Sequence, residues 1–429
     1  MPINWNLEAS SLTNIARNNF RELGQKMNET HSFTIAATKI ESVGIGDFNQ
    51  HYDLLHIPNI GGYGFPLNAT SNCNNIICGI IGIDEIIYGP EVLVGKKIAW
   101  KVYEPIIKKQ LDYWKKYNKK IKTFHVATTS EYEEMHRYLG IPYENIKIIP
   151  LGVNHDFFQP SKNKELTRSQ ILSELKIPNE KYFLHVSEYN FERKNQQRIL
   201  DAFTMARKSG LKHNLVFVGK QFPKFKQIIK KTPGVYVLDW IPDEQLLQIF
   251  QGADTLLLPS LHEGFGIPLV EAMSCGVPCI TSNTHSPPHV VSDTGIQIDP
   301  RDTSEICNAI LKISNDSNLL ENLSKKSLIR SKLFSWEKYG MQILELYDID
   351  ISKPMLNFDQ NYDLAGYRTL VTVCDTFPDK NHSLLLSLIK LDYSKLLQWA
   401  NDYGLDNPKS RDFLIPFEKW IQRKLEVVM

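Results

Sequence analysis

The sequence predicts an α/β protein built on parallel sheets, and three observations support this prediction. Short apolar runs at residues 215–218 and 235–238 alternate with helical patterns at the spacing of βαβ units. A further run at residues 255–258 has the length and branching of a buried strand and stops at Pro259. The length of 429 residues indicates two to three domains, each able to bury its own core.

The amino-terminal half contains one predicted helix followed by short predicted strands. Residues 11–27 place apolar side chains near helical spacing. Strands are predicted at residues 52–57, 75–83 and 124–128, the second of them as an apolar run that contains glycine. Ser130 is the predicted N-cap of the helix that follows, whose first turn is acidic.

In the second half, two cations stand between a predicted strand and a predicted helix. Residues 182–186 form the strand, and Arg193-Lys194-Asn195 precedes the amphipathic helix. Cations at the amino end of a helix oppose its dipole, so stability alone does not favour them. Two interpretations are open: a bound anionic ligand that would favour the cations, or an ordinary solvated surface.

The loop after the strand at residues 255–258 is the predicted ligand site, because ligands of open α/β sheets bind at the carboxyl ends of strands. Glu263 stands before Gly264-Phe265-Gly266, whose glycines permit positive φ and let backbone amides approach a ligand. A helix then begins near Pro268, and its amino end favours bound phosphate. This helix carries Glu271, so two carboxylates are available for the hydroxyls of one ligand; the alternative for Glu271 is a first-turn residue that the helix dipole favours.

The full string around this loop resembles a known signature. Residues 258–280 read Leu-Pro-Ser-x-x-Glu-Gly-Phe-Gly-x-Pro-x-x-Glu-Ala-Met-x-x-Gly-x-Pro-x-Ile. This string resembles the donor-site signature of the retaining family 4 glycosyltransferases, which have the GT-B fold. The resemblance covers about residues 11–348.

For the fold, the resemblance implies two Rossmann-like domains that face each other across a cleft, followed by an extension. Residues 1–155 would form an acceptor domain and residues 156–348 a nucleotide-sugar donor domain. Residues 349–429 lie beyond the resemblance, and their leucine spacing predicts a helical carboxyl-terminal extension. Packing of this extension on its parent domain is favoured over a peripheral membrane contact.

The resemblance also implies roles for individual residues of the second domain. Arg193 and Lys194 would hold the donor diphosphate. Glu263, with the amides of Gly264, Phe265 and Gly266, would hold the donor sugar, and Glu271 the ribose. Trp240 and Ile241 would lie beside the nucleotide base.

Three departures from the family pattern accompany these matches. Asp84 is a candidate catalytic residue, but Ile83 precedes it where the family often has histidine. Ser187-Glu188 stands where the family often has Gly-Arg or Gly-Thr. The glycine-rich loop that usually precedes the first helix is missing, since residues 7–13 contain no glycine.

Composition excludes several classes of protein. The 49 basic and 48 acidic residues make a nucleic-acid partner unlikely on electrostatic grounds. The six cysteines have no metal-ligand spacing; Cys275 and Cys279 are expected to be packed thiols, which indicates a reduced, cytoplasmic compartment. The sequence lacks the layout of a signal peptide and has no apolar run of membrane-spanning length.

The predicted function is transfer of a hexosyl group from a nucleotide diphosphate sugar to a hydroxyl acceptor, with retention at the anomeric carbon. Neither a metal nor a cofactor is expected, since the only Asp-x-Asp, at residues 348–350, lies far from the motif. The alternative is a nucleotide-sugar-binding protein with weakened catalysis. A nicotinamide-dependent dehydrogenase is disfavoured because an early Gly-x-Gly-x-x-Gly is absent. The sequence does not indicate the oligomeric state.

Overall fold

The computed structural model describes residues 55–57, 74–80, 82–83, 108, 111–112, 114–187, 192–219, 221 and 223–347. Within these residues the chain forms two compact units. The second unit comprises residues 127–131 and 149–339, and the described residues before it belong to the first unit together with residues 132–148. The predicted helix at residues 11–27, Asp84 and the predicted extension at residues 349–429 lie outside the described residues.

The first unit contains a parallel sheet of four described strands in the order β1-β2-β3-β4. The strands are β1 (Leu55–Ile57), β2 (Ile76–Gly79), β3 (Thr123–Val126) and β4 (Ile146–Ile148). The side chains of Trp114, Phe124 and Met135 are fully buried in the core beside this sheet. Buried apolar side chains therefore flank the strands, as expected for a parallel sheet.

Strand β2 is shorter than the predicted strand at residues 75–83. Regular pairing with β3 ends at Gly79, and the amide of Ile80 still donates to the carbonyl of His125 at 3.0 Å. Gly82 then takes a φ of 78°, which a strand does not permit. Ile83 is fully buried, so its hydrophobicity reflects packing in a loop rather than strand pairing.

The prediction that Ser130 is a helix N-cap is wrong. Helix α1 (Thr129–Leu139) begins one residue earlier, so Ser130 lies inside its first turn. The hydroxyl of Thr128 accepts the amide hydrogen of Glu131 at 3.2 Å, and the Glu131 carboxylate accepts from the amide of Ala127 at 2.7 Å. Thr128 and Glu131 thus cap the helix reciprocally, which satisfies two amides where Ser130 would satisfy one.

The second unit contains a parallel sheet of six strands in the order β10-β9-β8-β5-β6-β7. The strands are β5 (Tyr182–Val186), β6 (Asn214–Val218), β7 (Val235–Leu238), β8 (Thr255–Leu258), β9 (Cys279–Ser282) and β10 (Ile296–Ile298). The predicted bounds of β5, β7 and β8 are confirmed. Because the chain builds outward from β5 to β7 and then restarts at β8 on the other side, β5 and β8 are the two central neighbours.

Helices connect the strands of the second unit and follow its last strand, and the last helix begins in the second unit and continues into the first from residue 340. They are α2 (Lys164–Glu174), α3 (Gln196–Lys208), α4 (Pro223–Lys230), α5 (Asp243–Gly252), α6 (Ile267–Ser274), α7 (Pro287–Val291), α8 (Thr303–Asn315), α9 (Ser317–Ser331) and α10 (Trp336–Tyr347). Apolar residues of α3, α8 and the central strands form one buried core. The α/β class predicted from strand and helix alternation is confirmed. No helix among the described residues is long and apolar enough to cross a membrane.

Candidate active site

The candidate site lies at the carboxyl ends of β5 and β8, where the order of the second sheet reverses. All neighbouring strands of this sheet pair in parallel, so their carboxyl ends meet at one edge. The segment after β5 carries Arg193 and Lys194, and the segment after β8 carries Glu263. A reversal of strand order opens a crevice at this edge, and ligands of open α/β sheets bind there.

Glu263 and the two cations are in contact at this edge. The Nζ atom of Lys194 donates to Oε1 of Glu263 at 2.6 Å, and Nη1 of Arg193 lies 3.9 Å from Oε2. The hydroxyl of Ser260 donates to the same Oε1 at 2.6 Å. The Glu263 side chain is 7% exposed, whereas those of Arg193 and Lys194 are 15% and 14% exposed. The cations therefore form the outer part of the cluster.

The charge state of Glu263 follows from these contacts. Burial raises the pKa of its carboxyl, but the nearby charges of Lys194 and Arg193 outweigh burial and hold the pKa at about 2. Hydrogen bonds from Lys194 and Ser260 act in the same direction. Glu263 is therefore ionised at neutral pH, and it fixes the ammonium group of Lys194 at the edge of the sheet.

A neighbouring hydrogen-bond network holds the segment that carries the cations. Asn195 adopts a left-handed conformation with a φ of 57°, and its side-chain amide donates to the carbonyls of Pro259 at 2.9 Å and Pro300 at 2.5 Å. The amide of Leu261 donates to the carbonyl of Arg193 at 2.8 Å. The loops after β5 and β8 are thus tied to each other directly. The sequence pattern indicated no role for Asn195, although asparagine is the residue after glycine that best tolerates the left-handed conformation.

The glycine-containing loop bends at Gly266, where φ is 91°. Glycine is favoured here chiefly by this backbone angle, and a Cβ atom would in addition lie 2.8 Å from a methyl group of Leu269, which would have to shift. Ser286 donates to the carbonyl of Gly264 at 2.6 Å. The side chain of Phe265 is buried, with its ring centroid 5.6 Å from that of Phe334. Only the backbone of this residue is thus placed to meet a ligand.

Glu271 occupies the middle of α6 and differs in charge state from Glu263. Its side chain is half-buried and makes no hydrogen bond to any other described residue. Burial, and then the negative charge of Asp243, raise the pKa of Glu271 to about 8. At neutral pH this carboxyl is mainly protonated, and donor groups of a ligand would favour its ionised form.

Trp240 and Ile241 follow β7 at the same edge of the sheet. Trp240 is 80% exposed, which makes it the most exposed large apolar side chain among the described residues. β7 lies two strands from β5, which corresponds to about 10 Å across the sheet. An extended ligand that spans several strands would therefore reach from the cations toward Trp240.

The structure brings together Glu263, Arg193 and Lys194, and places Gly264, Phe265 and Gly266 in the same loop as Glu263. Glu271, Trp240 and Ile241 lie on separate segments of the same unit. Asp84 lies outside the described residues. Ser286 and Asn195 were missed as parts of the site because their role depends on contacts with other loops, whereas Ser260 contacts Glu263 in its own loop and appeared only as one letter of the signature.

A family model described as "Glycosyl transferases group 1" matches residues 167–329. This range includes the strands and helices of the second unit from α2 to α9, together with all described candidate residues. The match thus falls on the unit that carries the cluster of Glu263, Arg193 and Lys194.

Two relatives are named for mannosyl transfer. An O-antigen chain mannosyltransferase B from Escherichia coli is 29% identical over 233 residues, which are 52% of this chain and 60% of that protein. A MMP alpha-(1->4)-mannosyltransferase from Mycolicibacterium hassiacum is 23% identical over 343 residues, which are 76% of each chain. The alignment with the first relative therefore spans less than two thirds of that relative's length.

A solved structure shares the fold. The Anabaena protein HepE, in complex with UDP-glucose, matches with a TM-score of 0.52 and 19% identity over 64% of this chain and 72% of that chain. The predicted GT-B fold class is confirmed.

Proposed function

We propose a function for this chain as a member of the glycosyl transferases group 1 family: it transfers a hexosyl group from a nucleotide diphosphate sugar to a hydroxyl acceptor. Both relatives described above are named as mannosyltransferases, so a mannosyl donor is the first choice within the hexosyl class. The UDP-glucose bound to HepE supports the same class of donor.

One observation carries the proposal: the contact of Lys194 and Arg193 with Glu263 at the switch point of the second sheet. Two cations, a glycine-containing loop and the amino end of α6 follow the two central strands. Cations and helix amino ends both attract anions, and a diphosphate is the anionic part of a nucleotide sugar. A site for the donor diphosphate therefore accounts for cations that a helix amino end alone would disfavour.

In this proposal each residue has one task. Arg193, Lys194 and the amino end of α6 stabilise the negative charge that develops on the diphosphate as it leaves. Glu263 remains ionised, fixes Lys194 and faces the sugar, whose anomeric carbon becomes positive. Glu271 accepts hydrogen bonds from the ribose, and Trp240 and Ile241 lie beside the base. No described residue is assigned as a nucleophile.

Retention of configuration is part of the proposal, and the product can test it. Because a retaining enzyme transfers an α-linked hexosyl group from an α-linked donor into an α-linkage, the one-bond coupling between C1 and H1 of the first product, which separates α- from β-linkages for mannosyl groups as well, distinguishes retention from inversion. An inverted linkage in the product would reject retention and leave the donor class intact.

Metal independence is proposed because the cationic side chains of Arg193 and Lys194 would neutralise the diphosphate in place of a divalent ion. Transfer is expected to continue in EDTA at an unchanged rate. Loss of transfer in EDTA and its recovery with magnesium or manganese would contradict this part of the proposal.

The function as a whole is tested by a thermal-shift panel of UDP-, GDP- and ADP-sugars, followed by transfer to hydroxyl acceptors. A ligand that binds only the native state raises the melting temperature as its concentration exceeds its dissociation constant. At least one sugar nucleotide is expected to raise the melting temperature, and the same donor is expected to be turned over. No shift with any donor at millimolar concentration would reject the proposal, and a shift without turnover would favour a binding protein.

A further inference from the structure

Ser187, directly after β5, is the centre of a buried hydrogen-bond chain to which the proposed function assigns no role. Its hydroxyl oxygen lies 2.6 Å from Nε2 of His185 and 3.0 Å from Nε2 of Gln196. The side-chain amide of Gln221 donates to the backbone carbonyl of Ser187 at 3.2 Å. Gln196 begins α3 and Gln221 follows β6, so three segments of the second unit meet at Ser187.

The direction of each hydrogen bond in this chain is fixed. Nδ1 of His185 lies 2.7 Å from the carbonyl of Leu257, and a carbonyl only accepts, so Nδ1 carries the hydrogen. Burial lowers the pKa of His185 to about 4, so the ring is neutral and Nε2 accepts. The Ser187 hydroxyl therefore donates to Nε2 of His185, and its oxygen accepts from the amide of Gln196. All three side chains are buried.

This chain connects the central strands to the turn that carries the cations. Gln196 follows Lys194 by two residues and lies at the start of α3. Asn195, between them, is held by the carbonyls of Pro259 and Pro300. The bond from Gln196 to Ser187 is a second anchor of the same turn, on the side of β5.

Position 187 is also one at which this sequence departs from the family that it resembles, where glycine is frequent. Glycine has no side chain to bridge His185 and Gln196, and both groups would then be buried without this partner. Burying a polar group without a hydrogen bond is unfavourable, so the serine, the histidine and the glutamine form a set.

We infer that Ser187 is a positioning residue that holds the turn of Arg193 and Lys194 in the geometry that binds a donor diphosphate. The inference rests on the proposed function. The Ser187 hydroxyl makes no hydrogen bond to the cations or to Glu263. Its effect on the cations passes through Gln196 and the first turn of α3.

The test compares the affinity for a nucleoside diphosphate with that for the monophosphate of the same nucleoside, using UDP with UMP and GDP with GMP. Calorimetry on the full chain gives both affinities, and unfolding temperatures are recorded in parallel. Ser187→Ala is expected to weaken binding of the diphosphate about tenfold and binding of the monophosphate less than about threefold. A tenfold loss is the scale expected when one hydrogen bond to a charged group is misplaced. The ratio of the two affinities decreases because the displaced cations are the groups that bind the additional phosphate.

Ser327→Ala is the matched control. Ser327 on α9 is fully buried and donates to the carbonyl of Thr294 at 3.1 Å, so its loss removes a comparable hydrogen bond from another part of the unit. This variant is expected to lower the unfolding temperature without changing the ratio of the two affinities. An equal change of the ratio in both variants would mean that Ser187 has only a general structural role, and would overturn the inference.

A second variant, Gln196→Met, breaks the chain at its other end and keeps the bond between Ser187 and His185. It is expected to narrow the same ratio, and it decides the question if Ser187→Ala does not fold. An unchanged ratio in Gln196→Met would overturn the inference while the proposed function stands. If the wild-type chain binds neither UDP nor GDP, the proposed function fails, and the inference fails with it.

Discussion

Two buried carboxylates lie at opposite edges of the six-stranded sheet, and both are paired with cations. Glu263 follows β8 and contacts Lys194 and Arg193, whereas Asp254 directly precedes β8 and lies 2.5 Å from Nη2 of Arg168. In both cases burial raises the pKa of the carboxyl, and its neighbours outweigh burial and hold the pKa at about 2. For Glu263 these are chiefly the charges of Lys194 and Arg193; for Asp254 they are a hydrogen bond from His213 and the charges of Lys164 and Arg168. Charge and burial alone do not distinguish the two clusters.

The two clusters differ in the solvent exposure of their cations and in the edge of the sheet at which they lie. The Arg168 side chain is 3% exposed and directs its three nitrogens to Asp254, Glu165 and the carbonyl of Gly252. The side chains of Arg193 and Lys194 keep about five times that exposure, at the carboxyl edge where ligands bind. A perturbed pKa therefore marks an ion pair, and its place on the sheet decides between a structural and a functional role.

The largest loss of stability is expected at the amino edge of the sheet, where Asp254 and Arg168 lie. Arg168→Met removes the most deeply buried partner of Asp254, while Lys164 and His213 remain 3.5 Å and 3.2 Å from its carboxylate. Because the carbonyl of Gly252 also loses its hydrogen bond from Arg168, the free energy of unfolding should fall by about 3 kcal/mol. Urea unfolding measures this change, and calorimetry with a nucleoside diphosphate should show unchanged affinity in the folded variant. Glu165→Gln is the control: the Glu165 side chain is 73% exposed, and its loss should change stability by less than about 1 kcal/mol. Weakened nucleotide binding in Arg168→Met would contradict the division between the two edges.

At the carboxyl edge of the sheet, where Lys194 and Glu263 lie, the expected effect is on the turnover rate. Lys194→Met removes a cation that we propose stabilises the departing diphosphate, and it should lower the turnover rate about 10²- to 10³-fold. The melting temperature should change less than in Arg168→Met, because Arg193 and Ser260 still contact Glu263. Lys325→Met, which removes an exposed lysine paired with Glu321, is the control and should leave the rate unchanged. A large loss of stability with little loss of rate would assign Lys194 to the fold instead.

Only part of this contrast was predictable from the sequence. Strands β5, β7 and β8 are apolar runs that end at polar residues or proline, so their bounds and the loops that follow could be predicted locally. The same rule failed at residues 75–83, where an apolar run continues past the end of strand pairing and Gly82 turns the backbone. Arg168 and Asp254 are 86 residues apart in the chain, and no local pattern indicates that they meet. Ser187 departs from the pattern of the family that the sequence resembles, but its hydrogen-bond partners can be identified only from the fold.

Glu271 sharpens the comparison because its pKa is shifted in the opposite direction. If ribose hydroxyls donate to its carboxylate, Glu271→Gln should weaken nucleotide diphosphate binding by about 1–3 kcal/mol. Hydrogen bonds to the ionised form lower the pKa from about 8, so binding near pH 7 should release a proton. Calorimetry in two buffers with different ionisation enthalpies measures this release, which should be lost in the variant. Equal enthalpies in both buffers for the wild-type chain would argue against the ribose contact.

The pH dependence of stability is expected to have the opposite sign at the two edges. The folded pKa of Asp254, about 2, is below the unfolded value, so its contribution is present above about pH 4 and is lost as pH falls through 2. The folded pKa of Glu271, about 8, is above the unfolded value of about 4.3, so the native state holds an additional proton between them and stability falls as pH rises to 8. Glutamine does not ionise, so Glu271→Gln should unfold at the wild-type temperature near pH 4 and at a higher temperature than the wild type at pH 9. A variant that is less stable than the wild type at pH 9 would show that the fold stabilises the ionised carboxylate, and Glu271 would then belong with Asp254 as a structural group.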